Sequence, residues 1–186
     1  MKNVIGALSM GFIVLAGSVS AQTVSSASDV QSRTRAIAAS FTKFKQLSKE
    51  KHGVKKEKYL RVESEPAIET TPTEYSGVYR VPDMPFTLRL NVDSKGVVTG
   101  SGDEALTESV RRTFTLRNGK VQGALLTATK VYADGTSAPI EGAFMNRSTF
   151  ESPTDTGRTV FGFGTRISPI EFSGNTYDKL FYERSR

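Results

Sequence analysis

The sequence of 186 residues contains no cysteine, no tryptophan and a single histidine, His52. A chain without cysteine forms no disulfide, so its stability has to come from packing. Zinc, copper and iron sites are usually built from several cysteine and histidine ligands, which one histidine cannot supply within one chain. A serine hydrolase would need His52 as its general base, and the sequence has no G-x-S-x-G motif. These absences predict no metal site and favour a protein without catalytic activity.

The first 21 residues have the features of a secretory signal peptide. They carry one charge, Lys2, followed by a short apolar run, and they end in small residues up to Ala21. The run is too short and too interrupted by glycine for a membrane span. Ser18 stands where a bacterial lipoprotein would need cysteine. We therefore expect cleavage after Ala21 and a secreted or periplasmic protein, without a lipid anchor or a transmembrane segment, whose remaining chain suffices for one domain.

Positive charge is concentrated near the start of the predicted mature chain. Residues 22–62 contain ten Lys or Arg and three Asp or Glu, whereas residues 63–186 contain fourteen Lys or Arg and sixteen Asp or Glu. The spacing of Val30, Ile37, Phe41 and Phe44 fits one face of an amphipathic helix, and Gly53 suits its end. We therefore predict a basic amphipathic helical segment over residues 22–62. The simplest role for such a helix is to pack on the body of the protein with its lysines in water.

The lysines of this segment are also candidates for contact with an anionic surface, such as lipid headgroups, acidic glycan or nucleic acid. Nucleic acid is the weakest of these candidates, because no aromatic residues are interleaved with the lysines in a base-stacking pattern. The candidate residues are Lys43, Lys45, Lys49, Lys51, Lys55, Lys56 and Lys58.

A short acidic segment follows the basic one. Residues 63–74, ESEPAIETTPTE, contain four glutamates, two prolines and three threonines. Proline and polar residues without periodicity indicate an extended linker. We predict that this linker joins the basic helix to an antiparallel β domain over residues 75–186.

From residue 75 onward the pattern of apolar residues becomes that of strands and hairpins. FTLRLNV at 86–92 alternates apolar and polar residues and runs into DSKG, a type I turn sequence that predicts a hairpin with Val97 opposite Val92. NG at 118–119 and DG at 134–135 predict two further hairpin turns. About eight strands of this kind favour a small antiparallel meander closed into a barrel, with a two-sheet sandwich as the alternative. In strand count and patterning, this architecture is similar to lipocalin-like small barrels.

One stretch, GSGDEA at 100–105, fits the glycine fingerprint of dinucleotide-binding proteins. Such a site needs a parallel βαβ unit and an acidic residue about twenty positions further on, but no Asp or Glu occurs between Glu108 and Asp134. Asp103 and Glu104 also lack the spacing of a calcium loop. We therefore predict no cofactor, and we interpret the glycines as positions where a strand bends or ends at the rim of the barrel.

Aromatic residues on several predicted strands are the best candidates for a ligand pocket. They either fill the barrel core or line an apolar pocket at its mouth, with tyrosine hydroxyls as polar groups. The candidates are Tyr75, Tyr79, Tyr132, Phe144, Phe161, Phe163 and Tyr182.

Three functions stay open from the sequence. The favoured one is an exported non-enzymatic binding protein for a small apolar or amphipathic ligand or a protein partner. The second is an envelope-surface or polyanion-interacting protein that uses the basic helix. The third is a hydrolase of envelope polymers that uses two carboxylates.

Overall fold

The computed structural model describes residues 26–51, 54–68, 71–105 and 110–185. The predicted signal peptide, His52 and Gly53 lie outside these ranges. Within them the chain forms an α-helix, α1 (Ala27–Ser40), a short 3₁₀ helix (Pro72–Tyr75) and ten strands. The strands are β1 (Lys43–Lys51), β2 (Val54–Pro66), β3 (Gly77–Arg80), β4 (Thr87–Val92), β5 (Val97–Ala105), β6 (Arg111–Gln122), β7 (Leu125–Tyr132), β8 (Ser137–Phe150), β9 (Arg158–Phe172) and β10 (Asn175–Arg184).

Eight of these strands close into an antiparallel barrel. From β3 to β10 each strand pairs with the next one in the chain, and β10 pairs back with β3. The order around the barrel is therefore the order in the sequence, which confirms the predicted meander and shows a barrel instead of a sandwich. Closure removes the two free edges that an open eight-stranded sheet would have.

Alternate residues of each barrel strand face a common interior. In β4 the buried residues Leu88, Leu90 and Val92 are separated by the exposed Arg89 and Asn91. The same alternation in the other strands joins the inward residues into one hydrophobic cluster. Burial of this cluster is the main contribution to stability in a chain that has no disulfide.

One half of the interior is filled by aromatic rings. The 3₁₀ helix places Tyr75 inside the barrel, where its ring stacks on Phe144 with 4.1 Å between centroids and 13° between planes. Phe161 lies parallel to Phe144 at 6.2 Å, and Phe163 lies at 5.3 Å. The Tyr79 hydroxyl donates a hydrogen bond to the Tyr75 carbonyl at 2.7 Å. This half of the interior, the aromatic half, is a packed core.

The helix α1 lies against the outside of the barrel. Ser26 caps its first turn by accepting a hydrogen bond from the Asp29 N–H, and Arg33 forms an ion pair with Glu141 of β8. Near the end of the helix, Ala38 and Phe41 pack on outward-facing apolar residues of β8 and β10, namely Ala143, Met145 and Phe181. Within the described ranges, no helix is long and apolar enough to span a bilayer.

The basic segment is a helix only in its first part. A helix precedes the barrel as predicted, but it ends at Ser40, and the prediction of a helical segment reaching residue 62 is wrong. Residues 43–51 form β1, which pairs with residues 54–62 of β2 in an antiparallel hairpin, and β2 continues along β8 through residues 61–66. The helical spacing of apolar residues reaches Phe44, but from Lys43 onward the main chain pairs with β2 in a strand ladder, and this pairing decides the structure.

The predicted linker takes part in the fold at both of its ends. Residues 63–66 are the last part of β2 and pair with β8, while residues 72–75 form the 3₁₀ helix that carries Tyr75. The composition indicates an extended linker, but the pairing of β2 with β8 extends into this segment as far as Pro66.

Two of the three predicted hairpin turns are observed. Gly96, with φ of +78°, closes the turn between β4 and β5, and its N–H donates to the Asp93 carbonyl at 3.0 Å. Gly135, with φ of +82°, has the same role between β7 and β8. The register of the first hairpin differs by one position from the prediction, because Val92 pairs with Val98.

The Asn-Gly pair at 118–119 is not a turn, so that prediction is wrong. It lies within β6, where the register with β7 shifts and Asn118 has φ of +51°, as in a β-bulge. A Cβ on Gly119 would lie 2.5 Å from the carbonyl oxygen of Val98 in β5. The glycine therefore permits close approach of two strands, and the chain turns four residues later, at Gly123.

The glycine motif at 100–105 lies in the strand β5, which pairs with antiparallel strands on both sides. The parallel βαβ unit of a dinucleotide site is therefore absent around this described strand. A Cβ on Gly102 would lie 2.6 Å from the Thr87 carbonyl oxygen and 2.3 Å from the Phe114 ring. Gly102 is thus required for packing, and β5 carries Glu104 to one end of the barrel.

Candidate functional site

A cavity of about 390 Å³ opens into the barrel at the end opposite the aromatic half, and we call it the mouth cavity. Its volume lies within the range of roughly 300–1,000 Å³ that small-molecule sites occupy. Much of its wall is apolar, formed by Phe86, Phe114, Ile140, Ile167, Ile170 and Leu180. Apolar walls around a few polar groups are the usual composition of a ligand site.

Three charged side chains meet in the mouth cavity. Glu104 of β5 accepts a hydrogen bond from Lys130 Nζ of β7 at 2.7 Å and another from Arg112 Nη2 of β6 at 3.4 Å. The side chains of Glu104 and Lys130 are each 14% exposed, and that of Arg112 is 31% exposed. Charges that have lost this much water are stable only when paired, so each group depends on the others.

The strand registers bring these three residues together. Glu104 lies directly opposite Arg112 in the pairing of β5 with β6, and the pairing of β6 with β7 places Phe114 opposite Tyr132. Lys130 precedes Tyr132 by two residues and therefore faces the same side of β7. The cluster is thus built on three neighbouring strands, which hold their side chains more rigidly than loops would.

Two aromatic rings support the cations. The Arg112 guanidinium carbon lies 3.5 Å from the centroid of the Tyr132 ring, and Lys130 Nζ lies 5.3 Å from the centroid of the Phe114 ring. The two rings meet edge to face at 6.0 Å. Cation–π contacts of this kind favour the charged form and fix the position of the positive groups.

The environment keeps Glu104 ionised and Tyr182 protonated at neutral pH. Burial alone would raise the pKa of Glu104, but hydrogen bonds from Lys130, Tyr132 and Arg112 lower that pKa below its usual value. Burial raises the pKa of Tyr182, and the negative charge of Glu104 adds to the effect. Tyr182 therefore retains a phenol proton that it can donate to a ligand in the cavity.

The lining of the mouth cavity carries more positive than negative charge. Besides Arg112 and Lys130, the exposed Arg166 of β9 lies at its edge, whereas Glu104 is the one acidic residue of the described lining. Three cations and one carboxylate give a formal charge of +2. An acidic group would find hydrogen-bond donors here, and a cationic group would be repelled.

Two larger grooves lie elsewhere on the surface. One, of about 880 Å³, runs along the ends of β9 and β10 and includes Arg158, whose side chain is 79% exposed. The other, of about 820 Å³, lies between α1, the end of β2 and the turn at Gly123. In the first groove Glu183 is 23% and Arg158 79% exposed, whereas Glu104 and Lys130 of the mouth cavity are each 14% exposed. The smaller exposure of this central pair strengthens its interaction with a ligand.

The structure divides the seven predicted pocket residues into two groups. Tyr132 and Tyr182 line the mouth cavity. The other five belong to the aromatic half of the interior, namely Tyr75, Tyr79, Phe144, Phe161 and Phe163. Of these, the half-buried Phe161 also lines the 880 Å³ groove. The predicted anionic-surface residues are all on the β1–β2 hairpin, with Lys43, Lys45, Lys49 and Lys51 in β1 and Lys55, Lys56 and Lys58 in β2.

The sequence-based predictions did not include the charged cluster. One signal for it is present in the sequence of β7, LLTATKVY, where Lys130 has the same parity as the buried Leu126, Ala128 and Tyr132. A charged residue in phase with inward-facing residues indicates a polar group inside the barrel. The sequence gives no such signal for Glu104, because nothing in it shows that β5 continues to Ala105.

Across the described ranges, no three His, Asp or Glu residues are grouped so as to hold a metal ion. Comparisons with protein-family models, curated proteins and solved structures find no match to this chain. Because a barrel hosts many unrelated activities, the function has to be argued from the site itself.

Proposed function

We propose that this protein is an exported binding protein whose barrel takes up a small amphipathic anion. The apolar part of the ligand lies between the walls of the mouth cavity, and its acidic group contacts Lys130 and Arg112. The observation that carries the proposal is the cluster of two cations and one carboxylate, largely withdrawn from water, in a cavity whose walls are mainly apolar. The predicted signal peptide supports the proposal of export.

Glu104 has opposite effects on the empty and the occupied barrel in this proposal. In the empty barrel it neutralises Lys130 and avoids the cost of an unpaired charge. A ligand carboxylate needs the same ammonium and guanidinium donors, so it competes with Glu104. Removing the Glu104 charge should therefore destabilise the empty protein and strengthen the binding of an acidic ligand.

Isothermal titration with decanoate, and with decanol as its neutral counterpart, tests the proposal. We expect decanoate to bind more tightly than decanol. Lys130→Met should weaken decanoate binding by about tenfold or more, since a hydrogen bond to a charged group contributes roughly 1.5–3 kcal/mol. Glu104→Gln should strengthen it. Lys95→Met, at an exposed turn between β4 and β5, is the matched control and should change neither affinity.

The proposal is contradicted if the protein binds decanoate and decanol with equal affinity, or if Lys130→Met binds decanoate as tightly as the parent. The charged cluster would then have only a structural role at this end of the barrel. The hydrolase alternative requires two carboxylates flanking the scissile bond. Within the described lining of the mouth cavity there is one, Glu104, so binding is the function that this geometry supports better.

A further inference from the structure

The β1–β2 hairpin has two faces of different charge. Directly opposite residues of an antiparallel pair lie on the same face, and successive residues alternate between faces. The register therefore places Lys43 on one face together with Lys45, Leu47, Lys49 and Lys51 of β1 and Val54, Lys56, Lys58, Leu60 and Val62 of β2. The other face has Phe44, Gln46, Ser48 and Glu50 of β1 and Lys55, Glu57, Tyr59 and Arg61 of β2.

We call the first of these the lysine face and the second the neutral face. The lysine face has six lysines and no acidic residue, which gives a formal charge of +6. The neutral face has two acidic and two basic residues, which cancel. Six of the seven lysines singled out in the sequence thus share one face, and Lys55 alone is on the other. Such a separation concentrates positive potential on one side of the hairpin.

The hairpin extends beyond the barrel. β2 pairs with β8 over residues 61–66, whereas among the described strands residues 54–60 pair with β1 alone. Seven residues of strand span roughly 23 Å. Val62 of the lysine face lies opposite Thr149 of β8. Thr149 is four residues from Met145 and therefore lies on the same face of β8, and Met145 packs against α1 outside the barrel. The lysine face therefore continues the outer surface of the barrel. A two-stranded ribbon is marginally stable in water, so a surface on which it can lie would stabilise it.

We propose that the lysine face docks the hairpin flat on an anionic lipid bilayer. Lysine suits the boundary of a bilayer in general, because its aliphatic stem is compatible with apolar surroundings while its ammonium group stays in a polar layer. The four aliphatic residues on the same face, Leu47, Val54, Leu60 and Val62, would enter the boundary between headgroups and acyl chains. The proposal concerns the hairpin alone and is independent of ligand binding in the mouth cavity.

The distribution of aromatic residues favours lipid over the other polyanions. Binding of single-stranded nucleic acid uses aromatic side chains on which bases stack. The two aromatic residues of the hairpin, Phe44 and Tyr59, are both on the neutral face, and the lysines are accompanied by aliphatic residues instead. A mixed basic and aliphatic face matches the interface of an anionic membrane, which offers phosphate and hydrocarbon together.

Co-sedimentation of the full mature chain with vesicles tests this inference. We expect binding to vesicles of phosphatidylglycerol mixed with phosphatidylcholine, little binding to phosphatidylcholine alone, and a steep loss as NaCl is added. Lys49→Gln with Lys56→Gln removes two facing lysines and should weaken binding by roughly tenfold or more. Lys95→Gln with Lys120→Gln removes the same charge from exposed sites on the barrel and should have little effect.

A second substitution distinguishes lipid from other polyanions. Leu47→Ser should weaken vesicle binding and leave binding to heparin and to a single-stranded oligonucleotide unchanged. The inference is overturned if the parent protein does not bind the anionic vesicles, in which case the lysines only protect an exposed sheet edge. It is also overturned if heparin or the oligonucleotide binds as tightly as the vesicles and Leu47→Ser has no effect, or if the barrel lysine pair matters as much as the hairpin pair.

Discussion

At the scale of single residues, Glu104 links the stability of the barrel to its proposed function. Its carboxylate is paired with Lys130 and Arg112 inside the mouth cavity, where the exposed fraction of its side chain is 14%. Its pKa in the folded protein lies below the usual value. The folded state therefore binds fewer protons than the unfolded state over the acid range, and the pair stabilises the fold only while Glu104 is ionised.

Glu104→Gln should lower the free energy of unfolding at pH 7 by about 2 kcal/mol, because Lys130 and Arg112 lose their counter-charge. This stabilisation is fully present above the unfolded pKa of a glutamate and is lost as pH falls through the lower folded pKa. The difference between parent and variant should therefore shrink on acidification. Urea unfolding at a series of pH values measures it, with the exposed Glu171→Gln as control. A difference that does not depend on pH would show that shape, and not charge, is responsible.

At the scale of elements, the sequence predicted those hairpins whose turns are determined locally. Gly96 and Gly135 occupy turn positions with positive φ, and the residues around them sufficed to identify both turns. Asn118 also has positive φ, but in a bulge whose position depends on the partner strand β7. The sequence identified a site for unusual backbone conformation in all three cases, and only long-range pairing separates a bulge from a turn.

Pairing also explains why the other predictions failed. The segment after Ser40 has helical spacing in Phe41 and Phe44 and strand alternation in its lysines, and its pairing with β2 favours the strand. The charged cluster joins Glu104, Arg112 and Lys130 from three strands, so no local motif contains it. The number of barrel strands and the order of the meander could be predicted, because each depends on local alternation and turns, whereas β1 and β2 could not.

Close packing of neighbouring strands can be tested at Gly102. Gly102→Ala should lower the free energy of unfolding by about 2–3 kcal/mol, since its Cβ would lie 2.3 Å from the Phe114 ring and 2.6 Å from the Thr87 carbonyl oxygen. Gly135→Ala is the control, because no atom lies within 4 Å of its Cβ and its φ is +82°. It should lose only about 1 kcal/mol from backbone strain. Urea unfolding of the two variants measures both losses of unfolding free energy. Equal losses would show that the close approach of Gly102 to Phe114 and Thr87 does not determine the cost of the substitution.

At the scale of the whole molecule, the barrel closes through a short joint between its first and last strands. β3 and β10 pair at two positions, whereas β8 and β9 pair at eight. The joint is extended by the Ser185 N–H, which donates to the Val78 carbonyl at 2.8 Å, and by Arg184, which donates to the Ser76 carbonyl at 2.9 Å. Because each barrel strand depends on both neighbours for its hydrogen bonds, we expect opening of the barrel to begin here.

Ser185→Pro tests this joint by removing one backbone donor. Ser185→Ala is the matched control, because both variants lose the side chain that accepts a hydrogen bond from Arg80, and only proline lacks the N–H. The proline variant should lose about 1 kcal/mol relative to the alanine variant. Amides of β3 should exchange hydrogen faster in the proline variant, while those of β8 and β9 should change much less. If the two variants exchange alike, the main-chain bond at Ser185 does not hold the barrel closed, and the Arg184 side chain is then the contact to remove next.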